Sequence, residues 1–142
     1  MKVLKLAFAV IGILLLTQCT AIVEGGLRSN LIGSWEAYQL VDVETGDEIN
    51  VNDGGFIFFL FEDRFCNSFT LSDDGNMDTY YFDGSATSDD DDGEWLYEFG
   101  DITFIFNDGD TLVRSFSGDA EVMTLPDTIA GEAKTISFRK VE

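Results

Sequence analysis

The sequence predicts an all-β domain built from antiparallel strands. From Leu31 onward, no stretch of ten residues keeps the helical period of apolar positions. Short apolar segments instead alternate with polar residues, as in strands that have one face toward a core and one toward water. Glycine, aspartate and asparagine separate these segments, and such short turns join antiparallel neighbours. This pattern favours either an up-and-down barrel or a two-sheet sandwich and leaves both open.

Nine segments have the length and composition of strands. The alternation is clearest where Trp95, Tyr97 and Phe99 share one face of a strand and Glu94 and Glu98 share the other. The predicted strands are Trp35–Val43, Gly55–Phe61, Phe65–Leu71, Met77–Phe82, Glu94–Phe99, Ile102–Phe106, Thr111–Phe116, Glu121–Leu125 and Thr135–Val141.

One segment does not alternate. Phe56–Phe61 is apolar at every position, so both faces of this strand need cover. We expect a neighbouring element of the fold to cover its outer face. A partner on that face, which would make the segment a contact surface, is the alternative.

The N-terminal residues have the layout of a secretion signal. Lys2 and Lys5 precede an apolar run, Leu6–Leu16, which is shorter than the roughly 20 residues that span a bilayer. The next residues, Leu16-Thr17-Gln18-Cys19, resemble the lipobox of bacterial lipoprotein precursors, although Gln18 stands where that motif usually has a small residue. The resemblance implies cleavage before Cys19 and anchoring to a membrane by lipid on this cysteine. Ordinary secretion and an uncleaved signal anchor are the alternatives.

These features divide the chain into three parts. Residues 1–18 form the predicted signal peptide, residues 19–30 the lipidated cysteine with a flexible tether rich in glycine, and residues 31–142 one folded domain. Thr20 after Cys19 provides no inner-membrane retention signal of the aspartate kind. We therefore expect an exported protein at the outer membrane, on either its periplasmic or its outer face.

The residue types present argue against catalysis. The chain has no histidine, so the usual general base and nucleophile pairs are missing, and no carboxylate pair stands out among 27 acidic residues. Of the two cysteines, lipidation of Cys19 leaves Cys66 without a disulfide partner in the chain, and its strand context predicts a buried thiol. The sequence predicts neither an enzyme nor a cofactor.

The acidic composition argues against nucleic acid as a partner and raises the question of calcium binding. The net charge of −19 opposes nucleic-acid binding, because no basic stripe is present to neutralise phosphates. The run Ser88–Gly93 offers oxygen ligands that suit calcium, but adjacent carboxylates repel each other and lack the alternating spacing of a calcium loop. We therefore expect solvated acidic hairpin loops and no dedicated metal site. The weak calcium candidates are Asp73, Asp78, Asp89 and Asp91.

Three segments resemble the lipocalin-like domains of small bacterial lipoproteins. They are the opening Leu31–Glu36, the later Gly93–Trp95 and the closing strand Ile136–Lys140. The resemblance implies an up-and-down barrel of eight to nine strands, in which Gly33 allows a sharp turn and Trp35 closes one end. The β-sandwich remains the alternative.

The resemblance also implies a cation for this closed end. In lipocalins an arginine late in the chain packs over the opening tryptophan, and Arg139 is the matching residue. Such a cation–π contact contributes about 1 kcal/mol. The alternation of side chains along the last strand argues against Arg139 in this role, since it puts Arg139 on the face opposite Ile136 and Phe138. Both arrangements stay open at this point.

A lipocalin-like barrel implies a cavity for a small apolar or amphipathic ligand. A core filled by the 19 aromatic residues is the first alternative. A sandwich module that binds a protein or a glycan is the second, and the sequence does not identify such a partner. The large residues predicted to line a pocket are Phe58, Phe69, Tyr81, Tyr97 and Phe104.

Overall fold

The described part of the chain is almost entirely β-structure. The computed structural model describes residues 26–50, 59–61, 64–65, 67–82, 87–129 and 131–141, of which residues 26–31 are helical. The strands are β1 (Gly33–Asp42), β2 (Glu48–Asn50), β3 (Phe59–Phe61), β4 (Arg64–Phe65), β5 (Ser68–Leu71), β6 (Asn76–Phe82), β7 (Thr87–Glu98), β8 (Asp101–Phe106), β9 (Thr111–Ser115), β10 (Ser117–Gly118), β11 (Val122–Ile129) and β12 (Glu132–Val141).

Neighbouring strands pair antiparallel in an up-and-down order. The large sheet runs β10-β11-β12-β1-β5-β6-β7-β8-β9, and β2 pairs with β1 beside this path. The first and last long strands, β1 and β12, lie side by side over most of their length. The predicted Gly55–Phe61 strand is described only from Phe59, where β3 pairs with β4 in a separate hairpin. Its residues 55–58 lie outside the described residues.

The two ends of the sheet are joined through the chain itself. β9 pairs with β8, and β10 pairs with β11, while Phe116 is the one residue between β9 and β10. This bent strand therefore brings the sheet back to its start, and nine strands surround a common interior. The predicted barrel is confirmed as a nearly closed one, and the sandwich alternative is wrong.

Alternation places the core inside this barrel. Along β8, the side chains of Ile102, Phe104 and Phe106 are buried and the residues between them are not. The same period applies to β11, where Met123 and Leu125 are buried. These inward faces form one hydrophobic cluster, which is the arrangement predicted for strands with one face toward a core.

The acidic run differs from its prediction as a loop. Asp89–Asp92 lie within β7, which pairs with β6 at Asp92 opposite Asp78 and at Asp89 opposite Tyr80. The ladder between β7 and β8 begins only at Gly93, so this part of β7 has one strand neighbour among the described residues. Natural sheets tolerate charged residues in a strand at such an edge.

Residues 26–31 are helical, and all of them except Leu31 belong to the range 19–30 that the sequence assigns to a flexible tether. Leu31 is fully buried, and its carbonyl oxygen accepts a hydrogen bond of 2.8 Å from Trp35 Nε1. Tertiary contacts thus stabilise a segment too short to be helical alone. No helix in the described ranges has the length and apolar character needed to cross a bilayer.

Candidate functional site

Trp35 closes one end of the barrel. Its side chain is fully buried, and Lys140 Nζ lies 5.1 Å from the ring centroid. The same Nζ donates a hydrogen bond of 3.0 Å to Asn30 O, at the end of the helical segment. Gly33 has φ +133°, and a Cβ on it would lie 2.6 Å from Lys140 Cε, so glycine gives the lysine room to cross the indole. We call the end that contains Trp35 the closed end.

The cation over Trp35 is Lys140, and the assignment to Arg139 is wrong. Arg139 pairs with Glu36 across β1 and β12, and their side chains meet at 3.5 Å on the outside of the barrel. Lys140 is instead the register partner of Trp35. The same alternation that disputed Arg139, carried one residue further, places Lys140 on the inward face and could have identified it.

A second tryptophan packs at the closed end. Trp95 is fully buried, and its Nε1 donates a hydrogen bond of 2.8 Å to Ser72 O. The guanidinium of Arg28 lies 4.7 Å from the Trp95 ring and also bonds Asp73, with Nη1 3.2 Å from Oδ1. Asp73, one of the calcium candidates, is therefore an ion-pair partner of Arg28.

An aromatic cluster fills the middle of the interior. The Phe69 and Phe104 rings meet edge to face with centroids 5.7 Å apart, and Phe69 lies 5.1 Å from Phe138. All three side chains are fully buried. Two residues of the predicted pocket, Phe69 and Phe104, are thus brought together, but they contact each other directly. We call these three residues the aromatic layer.

The other predicted pocket residues are placed differently. Tyr97 is half-buried and packs edge to face on Phe116, with ring centroids 6.3 Å apart. This contact joins β7 to the bend between β9 and β10, near the closed end of the barrel. For Tyr81 the structure describes the backbone in β6, and Phe58 lies outside the described residues.

The interior also contains buried polar side chains, and one of them, Asp127, lies toward the end opposite Trp35. Asp127 continues the inward face of β11 and is buried, and Arg114 Nη2 donates to its Oδ1 at 2.9 Å. Thr79 on β6 is buried beside Phe69, its register partner on β5, and Asn67, just before β5, is buried as well. The Arg114 and Asp127 pair was not predicted from the sequence, because the predicted strand ends at Leu125. The alternation continues past Pro126 and was the available signal.

The rim of this second end, the open end, is held by an ion-pair cluster. Asp42 and Lys134 are register partners on β1 and β12, and Lys134 Nζ donates to the Asp42 carboxylate and to Glu132 Oε2. The hydrogen bond from Lys134 lowers the pKa of Asp42 to about 2, with help from the backbone N–H groups of Thr45 and Glu44. The same Asp42 bond raises the pKa of Lys134 above its usual value.

The arrangement of strands is similar to that of a solved structure. A lipocalin-like protein from Bacteroides uniformis superposes with a TM-score of 0.53 at 12% sequence identity, covering 79% of this chain and 99% of that one. The fold is lipocalin-like. No protein-family model matches the chain, and no curated protein matches it. At this identity the similarity concerns the fold alone.

A groove lies on the outer wall of the lipocalin-like barrel. It has a volume of about 340 Å³, and Ser34 Oγ lies 2.8 Å from Thr70 Oγ1 within it. Ser34, Glu36, Ser68 and Thr70 alternate with the inward Trp35 and Phe69, so the groove has a mixed polar and apolar lining and lies outside the interior. The lining residues are Ser34, Trp35, Glu36, Ser68, Phe69, Thr70, Tyr80 and Val141.

The calcium candidates do not form a cluster in the part of the chain that the structure describes. No group of three or more acidic or cysteine side chains there is arranged to hold a metal ion. Asp78 lies on β6, paired with Thr70 and Asp92 on either side. Asp89 and Asp91 belong to β7, for which the structure describes the backbone at these positions.

Proposed function

We propose that this chain is a membrane-tethered lipocalin-like lipoprotein that binds a small amphipathic or apolar ligand through the open end of its barrel. The observation that carries the proposal is the change in character of the interior along the barrel. The wall at the aromatic layer is apolar except for Thr79, the register partner of Phe69, and toward the open end it carries the buried carboxylate of Asp127, which pairs with Arg114. A molecule with an apolar part and a polar part fits such a gradient.

The aromatic layer limits how deep a ligand can go. Phe69, Phe104 and Phe138 pack in contact, so a ligand would occupy only the part of the barrel between this layer and the open rim. We therefore propose a short ligand, whose apolar end meets the aromatic layer. Its polar end would lie near Arg114, whose guanidinium can donate to a carboxylate or a carbonyl oxygen.

A titration with a fluorescent short-chain fatty-acid analogue tests this proposal on the full chain. We expect saturable binding of one probe per chain. Leu112→Trp enlarges a side chain that packs on the core and should weaken the affinity at least tenfold. Val113→Trp is the matched control, because the adjacent side chain points outward on the same strand, β9, and its variant should bind as the wild type does.

The packed aromatic layer also favours a second candidate function. If the space between the aromatic layer and the open rim is filled as the middle is, the domain has no cavity and serves as a stable surface outside the cytoplasm. The same titration separates the two. Absence of saturable uptake, or equal binding by Leu112→Trp and Val113→Trp, contradicts the ligand-binding proposal and supports the second candidate.

The proposed tether is lipid on Cys19, with the outer membrane as the location. Its support is the short basic start, the apolar run Leu6–Leu16 and the lipobox-like residues before Cys19. Cys19→Ser should move the protein from the membrane pellet to the soluble fraction and leave the melting temperature of the domain unchanged. A Cys19→Ser chain that still pellets with membranes contradicts the lipid anchor.

A further inference from the structure

Large apolar side chains are exposed near the closed end of the barrel. Leu96 is 51% exposed and Val113 is 52% exposed, and both lie opposite Thr103 in the registers of β7, β8 and β9. They therefore share one outer face of the sheet. Phe99 lies just beyond Leu96, at the tip of the β7–β8 hairpin, and is 83% exposed. We call Leu96, Phe99 and Val113 the apolar tip.

The backbone at Phe99 is unusual for such a residue. Phe99 has φ +52° and Gly100 has φ +93°, as in the two-residue hairpin turn that prefers asparagine, aspartate or glycine at both positions. A phenylalanine in this conformation is strained and gains no burial in return. Nothing in the packing of the barrel accounts for an aromatic ring here, which points to a contact outside the domain.

The apolar tip lies at the end where the N-terminal segment enters the barrel. Arg28, in the helical segment, packs over Trp95, and Trp95 precedes Phe99 by four residues in β7. Only residues 20–25 separate Cys19 from the described chain at Gly26. At roughly 3.5 Å per residue, an anchor at Cys19 stays within about 25 Å of Gly26. The apolar run Leu6–Leu16, if retained as an anchor, also attaches at this end.

Charge is distributed along the same axis. The acidic run Asp89–Asp92 lies in the first half of β7, and Phe99 follows Asp92 by seven residues. At about 3.3 Å per residue, the run is separated from the tip by roughly 23 Å. A membrane on the side of the apolar tip would therefore meet Glu98 and Asp101, which flank the tip, and not the four consecutive aspartates.

From these relationships we propose that the closed end faces a lipid surface and that the apolar tip, led by Phe99, enters its interface. An aromatic ring with flanking aliphatic side chains suits the boundary between headgroups and acyl chains. This inference rests on the proposed tether and adds the orientation of the barrel. The open end, through which the ligand is proposed to enter, then faces away from the bilayer.

Tryptophan reporters on the full chain test the orientation. Phe99→Trp and Val43→Trp place an indole at the tip and at the opposite end, where Val43 is 60% exposed in the turn before β2. The native Trp35 and Trp95 are fully buried and serve as a shielded background. In phosphatidylcholine vesicles with brominated acyl chains, we expect the added emission of Phe99→Trp to be quenched at least twofold more than that of Val43→Trp.

The outcomes separate this inference from the tether. Equal quenching at the two positions, or none at either, overturns the orientation even if Cys19→Ser confirms the lipid anchor. A Cys19→Ser chain that remains bound through its apolar run removes the lipid proposal, while stronger quenching of Phe99→Trp still supports the orientation. A chain that binds vesicles in no form overturns both. If the chain forms a dimer that Phe99→Asn abolishes, and the emission of Phe99→Trp is not quenched, the tip binds a second copy of the chain. This result overturns the lipid contact.

Discussion

Arg114 and Asp127 form an ion pair of 2.9 Å that connects β9 to β11. These two strands approach each other where the barrel closes, but the backbone ladder of β9 is made with β8 and that of β11 with β10 and β12. The side chains thus connect two strands that share no register in the described sheet. Both are largely buried, so the pair sits in a part of the barrel with little water.

Arg114→Met should destabilise the protein by about 3 kcal/mol, because it leaves the buried Asp127 carboxylate without its guanidinium partner. The double variant Arg114→Met with Asp127→Asn should recover part of this loss. Urea unfolding of the two variants and the wild type measures the coupling. Arg139→Met is the matched control, since its pair with Glu36 is exposed and should contribute less than about 1 kcal/mol. Equal losses in Arg114→Met and Arg139→Met would contradict the importance of the buried pair.

Lys140→Ala should cost about 2 kcal/mol of unfolding free energy. It removes both the cation over Trp35 and the hydrogen bond to Asn30 O. Lys140→Arg should restore much of the cation–π contact, and a Trp35 fluorescence change on unfolding provides the readout. A loss in Arg139→Ala larger than that in Lys140→Ala would reassign the cation that supports Trp35.

The rim pair Asp42 and Lys134 predicts a definite pH dependence. The pKa of Asp42 in the folded chain is about 2, below its ordinary 3.8, so its ionised form stabilises the fold above about pH 4 and this contribution disappears as the pH falls through 2. The pKa of Lys134 is raised in the folded chain. Its ammonium therefore stabilises the fold fully below the ordinary pKa of 10.5, and this contribution is lost as the pH rises through the raised pKa.

Thermal melts of Asp42→Asn against the wild type check this dependence. The difference in melting temperature between the wild type and Asp42→Asn should be largest between about pH 5 and 9, shrink below about pH 4 and vanish near pH 2. Glu44→Gln, in the same turn, is the control for the removal of a carboxylate. A difference that persists unchanged at pH 2 would show that the ion pair with Lys134 is not its source.

Gly93→Ala should destabilise the barrel by about 3 kcal/mol. A Cβ on Gly93 would lie 2.1 Å from the backbone oxygen of Ile105, and backbone in a paired strand cannot yield as a flexible side chain can. Gly26→Ala is the matched control, because nothing lies within 4 Å of its Cβ position. Chemical denaturation of both variants makes the comparison, and a neutral Gly93→Ala would contradict the close approach of β7 and β8.

Phe99→Asn should stabilise the isolated fold by about 1 kcal/mol. Asparagine tolerates the left-handed conformation that Phe99 adopts at φ +52°, whereas phenylalanine is strained there. Phe99→Ala keeps the strain and removes the ring, so it should give no comparable gain. Differential scanning calorimetry of the three proteins without lipid distinguishes the two effects, and a destabilised Phe99→Asn would mean that the ring contributes to the fold itself.

Alternation correctly predicts the face on which many side chains lie. Ile102 and Phe104 point inward and Arg139 points outward, as the period of two requires, because the pleat sends successive side chains to opposite faces. Local pattern fails for the acidic run Asp89–Asp92, which the sequence predicts as a loop and the structure places in a strand. Its residues have poor strand propensity, and the ladder with β6 places them in β7 nevertheless.

The candidate site was predictable only in part. Phe69 and Phe104 were recognised as inward residues, but their ring contact depends on strands 35 residues apart and on Phe138 from the last strand. Lys140 was missed at the closed end, and so was the Arg114 and Asp127 pair at the seam. Such contacts depend on strand register and barrel closure, which a local pattern does not contain.

The sequence by itself determined the all-β class, the antiparallel order and the inward face of most strands, because these follow from local period and turn chemistry. Only the tertiary structure decided between barrel and sandwich, through the bend at Phe116 that returns β10 to β11. It also decided that Lys140 covers Trp35 and that Phe99 projects from the closed end. These outcomes depend on how distant strands pack together, and that packing is a property of the whole chain.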